Sequence, residues 1–256
     1  MIKNLIKTFC FVLFITSFHI ATANVVEDTT FQQANNAYQA GNYADAVTLY
    51  QQIVDAGNEG AVLFYNLGNA YYKTDNKAYA LLWYERALRL DPTNEDIKHN
   101  ISFVNNTLVD KIEVMPEFVI TKWWNGVSKS MVSNTWAICS IVLCFFLFAL
   151  IALILFAPRQ WLRSGSFILS FVVLLLLVLS IIFARKESVR YQNQPEAIIV
   201  KSVATAKSTP NQSGADLFIL HEGLKVSISD KVSEWYEIRL PNGEKGWIRE
   251  DGVVVI

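Results

Sequence analysis

Asn35 and Asn69 lie 34 residues apart, each followed three residues on by a tyrosine, Tyr38 or Tyr72, and the second tyrosine by Lys73. An amide donates and accepts hydrogen bonds at once, which suits contact with a polypeptide main chain, while tyrosines at this spacing serve packing at least as readily. A second aromatic group, Trp235, Tyr236 and Trp247, stands near the other end of the sequence, and Trp123, Trp124, Trp136 and Trp161 lie in or beside apolar runs. No spacing of a catalytic centre is present: there is no glycine-rich phosphate loop and no GxSxG, HExxH or CxxC motif. Cys10, Cys139 and Cys144 all fall in apolar runs, while His99 and His221 stand alone. A protein without catalytic residues, metal or cofactor is expected.

The elements that carry these residues follow from hydropathy. The 256 residues are 52% hydrophobic and 18% charged, with a mean hydropathy of +0.27. The excess sits in three blocks. Thr8 to Ile20, preceded by Lys3 and Lys7 and followed by Ala21-Thr22-Ala23, has the pattern of a secretory signal peptide over 1–23. Residues 136–156 and 166–184 contain no charge and are long enough to be transmembrane helices. The short loop between them, with Arg159 and Arg163, makes a hairpin and places the flanking domains on one side. Cleavage after Ala23 puts that side outside the cytoplasm. Lys122, Lys129, Arg185, Lys186 and Arg190 at the outer ends argue the opposite by the positive-inside rule. The leader is expected to set the orientation.

Charge is divided along the chain. Residues 24–110 carry 5 basic and 11 acidic side chains, 111–190 carry 8 and 3, and 191–256 carry 7 and 9. The acidic first part does not fit phosphate-backbone binding, so nucleic acid is not an expected partner; the basic middle fits lipid headgroups.

Between Phe31 and Pro92 the sequence repeats itself at 34 residues: Ala34 with Gly68, Asn35 with Asn69, Tyr38 with Tyr72, Ala46 with Ala80, Tyr50 with Tyr84 and Ile53 with Ala87. Small residues allow close helix approach, and Gly41 closes the first helix. This resembles the tetratricopeptide repeat, an all-α solenoid, over 27–110. The helix after Pro92 is expected to cap the stack with Ile97, Ile101, Val104 and Leu108 facing inward. The resemblance implies a concave groove that binds protein partners, with Asn35, Tyr38, Asn69, Tyr72 and Lys73 as its contact residues. Phe31 and Tyr65 stand where a carboxylate-clamp subtype needs basic residues, so a chain-terminal carboxylate is not the expected ligand.

Ile120, Trp123, Trp124, Val127 and Met131 follow helical spacing, so a juxtamembrane amphipathic helix is expected over 116–133. Trp123, Trp124, Trp136 and Trp161 are its and the spans' expected anchors at the membrane interface. Beyond the linker, strand-like runs at 197–203, 216–220, 225–229, 235–240 and 246–248, with turns at Glu222-Gly223 and Pro241-Asn242-Gly243, predict a small barrel over 196–256. Trp235-Tyr236-Glu237-Ile238, Asn242-Gly243 and Gly246-Trp247-Ile248 resemble the bacterial SH3-like domain. That likeness implies protein partners or peptidoglycan, contacted through Trp235, Tyr236 and Trp247. These aromatics serve a small core equally well.

Leader, repeats, amphipathic helix, two spans and SH3-like module, in this order, resemble the tetratricopeptide proteins of Bat aerotolerance operons (BatE-like). The resemblance implies a multidomain membrane protein of the bacterial inner membrane with both soluble domains in the periplasm. It also implies Bat-type partners with von Willebrand A domains and a link to oxygen or envelope stress. The role expected is a membrane-anchored scaffold or adaptor; the alternative is a cell-wall sensor that binds peptidoglycan peptides.

Overall fold

The computed structural model describes residues 25–112, 116, 118–193 and 195–256. The expected leader over 1–23 lies outside them. The first helices are α1 (Val25–Gln39), α2 (Tyr43–Asp55), α3 (Ala61–Lys73), α4 (Lys77–Leu90) and α5 (Glu95–Asn105). They form two antiparallel hairpins and a closing helix. Each hairpin turns through a left-handed residue at the same repeat position, Gly41 with φ +82° and Asp75 with φ +58°. Glycine adopts that conformation freely, and aspartate is among the few residues that tolerate it. Small residues bring the helices together: Ala34, Ala46, Ala80 and Ala87 are fully buried. Asn94 caps α5, accepting from the main-chain nitrogens of Asp96 and Ile97. Ile97, Ile101 and Val104 are buried and Leu108 packs beside them, as the apolar spacing predicts.

Two long apolar helices follow a short one. α6 (Val119–Ser128) is shorter than the expected 116–133. α7 (Ser133–Phe156) and α8 (Gln160–Asn193) pack as an antiparallel pair joined by Ala157, Pro158 and Arg159. Both are long and apolar enough to cross a membrane. At ~1.5 Å per residue α7 reaches ~36 Å and α8 ~51 Å, against a hydrocarbon thickness of ~30 Å. The connection is therefore much shorter than the loop read from hydropathy. A helix continues through polar residues wherever its backbone bonds stay satisfied, so loss of hydropathy does not mark its end.

The last part is one antiparallel sheet: β1 (Glu196–Ile199), β2 (Val203–Lys207), β3 (Asp216–His221), β4 (Lys225–Val232), β5 (Trp235–Arg239), β6 (Lys245–Arg249) and β7 (Val253–Val255). The order is β3-β2-β6-β5-β4-β1-β7. β3 and β7 are its edges, so the expected barrel is not closed, although all seven strands contribute to one apolar cluster with Leu220, Val226, Ile238 and Ile248 at its centre. The run expected as one strand over 197–203 is two, and β7 was not anticipated. Its three residues are too few to show a period of two.

The sheet docks on the repeats. Ala197 and Ile199 of β1 face the sheet's own core, while Ile198 between them joins the helical core. Alternation along a strand thus serves both domains. Lys225 Nζ lies 2.8 Å from Glu85 Oε2 and 2.9 Å from Glu196 Oε2. Burial pushes the Lys225 ammonium pKa down, but the two carboxylates outweigh this and hold it above the usual lysine range. Arg86 donates to the Val255 carbonyl at 2.8 Å and Arg89 to that of Ile256. Asp110 receives both the main-chain N–H and Nδ1 of His221, at 2.6 and 2.8 Å. This direct contact puts the two folded domains at the same end of the helical pair.

Candidate functional site

A hydrogen-bond ladder built on the 34-residue period shapes the inner face of the repeats. Tyr50 donates to Asn35 Oδ1 at 2.6 Å and Tyr84 to Asn69 Oδ1 at 2.7 Å. Asn66 Nδ2 donates to the same Asn35 oxygen at 3.3 Å, and Asn100 Nδ2 to that of Asn69 at 3.0 Å. Each unit is a tyrosine from the second helix of a repeat, an asparagine from its first helix, and an asparagine from the first helix of the next. Burial pushes the Tyr50 hydroxyl up to about 12, and burial, with Tyr65 adding to it, pushes Tyr84 up as well. Both phenols stay protonated and act as donors. The amide oxygens of Asn35 and Asn69 are therefore used inside the stack, and their Nδ2 groups take no part in this ladder.

Four of the five expected contact residues come together. Tyr38, Asn69, Tyr72 and Lys73 line one open cavity of ≈ 290 Å³, with Tyr84, His99, Asn100, Phe103 and Val104 as the rest of its wall. Asn35 is not among them. Tyr72 meets Phe103 edge-on at 5.9 Å, and His99 stacks on Phe103 at 6.4 Å. Lys73 Nζ lies 5.9 Å from the Tyr43 ring centre. The cavity thus offers an aromatic wall, one primary amine and amide donors, which can hold an extended chain by its backbone and one apolar side chain. His99, Asn100 and Phe103 were not read as groove residues. The signal was available for Asn100, since Tyr50/Tyr84 and Asn66/Asn100 continue the period that relates Asn35 to Asn69.

The other sequence-predicted residues divide by environment. Trp124 packs against Phe183 at 4.7 Å and Trp136 against the same ring at 5.0 Å, so both hold α6 and α7 to α8. The Trp136 indole donates to the Ser128 carbonyl at 3.1 Å, and Ser128 Oγ donates to the buried Glu187 at 2.6 Å. Trp123 and Trp161 are 65% and 66% exposed, on α6 and at the start of α8. Phe118, Val119 and Ile120 are exposed beside Trp123.

In the sheet, Trp235 is buried and lines a shallow cavity of ≈ 270 Å³ with Val203, Lys207 and Arg249. Tyr236 packs against the sheet core through its ring, and its hydroxyl lies 3.1 Å from Lys231 Nζ and 3.3 Å from Glu250. Trp247 is half-buried, opposite Glu237 and Lys207 in the register. The three aromatics do not form one surface. Among the described residues no group of three or more His, Cys, Asp or Glu could hold a metal ion.

Residues 31–95 match the family model described as a tetratricopeptide repeat. The helical hairpins of this region have the arrangement of that repeat, whose known members contact protein partners. Comparison with curated proteins gives no match.

Proposed function

We propose that the protein is a non-enzymatic, membrane-anchored adaptor whose repeat groove holds an extended segment of a partner protein. The observation that carries this reading is the gathering of Tyr38, Asn69, Tyr72 and Lys73 with His99, Asn100 and Phe103 around one open cavity. The pair α7 and α8 crosses the bilayer, and α6 lies at its surface with Phe118, Val119, Ile120 and Trp123 toward lipid. The domains share one side, the periplasm, of a bacterial inner membrane. The SH3-like module is locked to the repeats and presents its far edge to a second contact. The order of modules supports a place in a Bat-type complex with von Willebrand A partners, linked to aerotolerance or envelope stress. In such an arrangement the membrane supplies effective concentration, and weak grooves suffice.

The test is cross-linking in intact membranes followed by purification in mild detergent, with the parent chain beside Tyr72→Ala and Lys73→Glu. Partners captured by the parent and lost from both variants support the reading; capture unaffected by either variant removes the groove from it.

A further inference from the structure

On the side of α4 turned away from the groove, Trp83 is 3% exposed, and its indole Nε1–H is the one buried side-chain donor without an acceptor among the described residues. A buried donor left unmatched is costly, so a group that accepts from it would bind here favourably. Trp83, Arg86 and Leu90 share a helix face and, with Val54, Glu59 and Phe64, wall a cavity of ≈ 420 Å³. The Arg86 guanidinium lies 4.6 Å from the indole ring centre. Of its five N–H donors one is given to the Val255 carbonyl. Burial, and then the neighbouring Arg89, push its pKa below the usual arginine value, and Glu59 opposes them. Arg89, at the same wall, is bound to the Ile256 main-chain oxygen.

We propose that this cavity binds the carboxylate of a small apolar acid, of acyl-amino-acid size, with Arg86 as the charged partner and the Trp83 indole N–H as the second donor. The guanidinium lies over the indole face, and the buried N–H points outward in the ring plane. When Arg86 turns to the ligand, the two donors face the two oxygens of one planar group. A carboxylate fits better than phosphate for two reasons. The guanidinium fork matches its plane, and Glu59 at the wall repels a dianion more than a single charge. The volume exceeds what a bare ion fills, and Val54, Phe64 and Leu90 receive an aliphatic group. The site is separate from the groove, so either can fail without the other.

The experiment uses the full chain in lipid nanodiscs with 15N-labelled tryptophan, the Trp83 indole signal being assigned by its loss in Trp83→Phe. The probes are N-acetylleucine, N-acetylleucinamide and inorganic phosphate, and binding heats for all three are read on the parent chain, independently of any variant's folding. Expected are a saturable downfield displacement and binding heat with the acid alone, weakened about tenfold in Arg86→Lys and unchanged in Lys73→Gln. An equal response to the amide, a response to phosphate, or undiminished binding in Arg86→Lys overturns the proposal. So does silence with the acid up to about 50 mM.

Discussion

Replacing Gly68 with alanine sets helix propensity against packing at the closest approach of α3 to α4. A Cβ at Gly68 would lie 2.7 Å from both Cδ1 and Cε1 of Tyr84 and 3.2 Å from the Ala80 carbonyl oxygen. The ring is the part that must yield. It is 2% exposed, its hydroxyl is tied to Asn69, and Tyr65 packs on it at 5.8 Å. Forcing one methyl group into such a place costs about 1–3 kcal/mol. The exchange also gains about 1 kcal/mol of helix propensity. Repeat one carries Ala34 at the matching position, with Tyr50 still bonded to Asn35, so the scaffold can accommodate the methyl group after a small ring shift. The net expectation is a loss of about 1 kcal/mol, or a fall of about 4–8 °C in the repeat domain's Tm. Near-UV circular dichroism of the tyrosines during thermal unfolding reads this directly. A Tm equal to or above that of the parent chain would refute the reasoning, because it would mean that the Tyr84 ring is not held.

Tyr84→Phe removes the donor to Asn69 and should cost about 1 kcal/mol in urea denaturation, with a larger loss of partner capture than of stability because Asn69 lines the groove. Asp75→Gly relieves a left-handed aspartate and should raise the midpoint by an amount worth a few tenths of a kcal/mol; a lower midpoint would show that the Asp75 side chain, not its backbone, matters there. Raising pH above ~10 should destabilise the fold. Tyr50, Tyr84 and Lys225 all have pKa values raised above their unfolded ones, so the unfolded chain releases their protons first and their contribution, complete below ~10, is lost as pH climbs through the raised values. An alkaline titration of Tm in which Lys225→Met flattens part of the decline checks this. Ile198→Asp places a charge in the helical core and should release the sheet from the repeats at a cost of about 3 kcal/mol. Spin labels at Glu95 and Glu222 would then report a broadened distance distribution, and an unchanged narrow one would mean that the polar contacts alone hold the domains together.

Period and hydropathy were enough to read the repeats, because both are local. Ala34, Ala46, Ala80 and Ala87 are where two helices must come close, and their spacing carries that information whatever surrounds them. The same holds for Ile97, Ile101 and Val104 on the closing helix and for the two apolar helices. Turn chemistry was equally local, as at Gly41, Gly223 and Gly243.

What the tertiary structure decided depends on groups far apart in sequence. Asn35 and Asn69 read alike in the sequence; in the structure Tyr50, Tyr84, Asn66 and Asn100 take the oxygens of both, and only Asn69 lines the cavity. Trp123 and Trp124 are adjacent and alike, yet Trp124 lies on Phe183 and Trp123 is exposed, since consecutive residues on a helix point about 100° apart and only the position of α8 says which direction is buried. Ile198 reads as an ordinary strand residue, but it joins a core built from another domain. Local pattern therefore defined the repeat helices and the two apolar helices with their buried faces, whereas several element ends, β7 and the partners of each element were set by long-range packing.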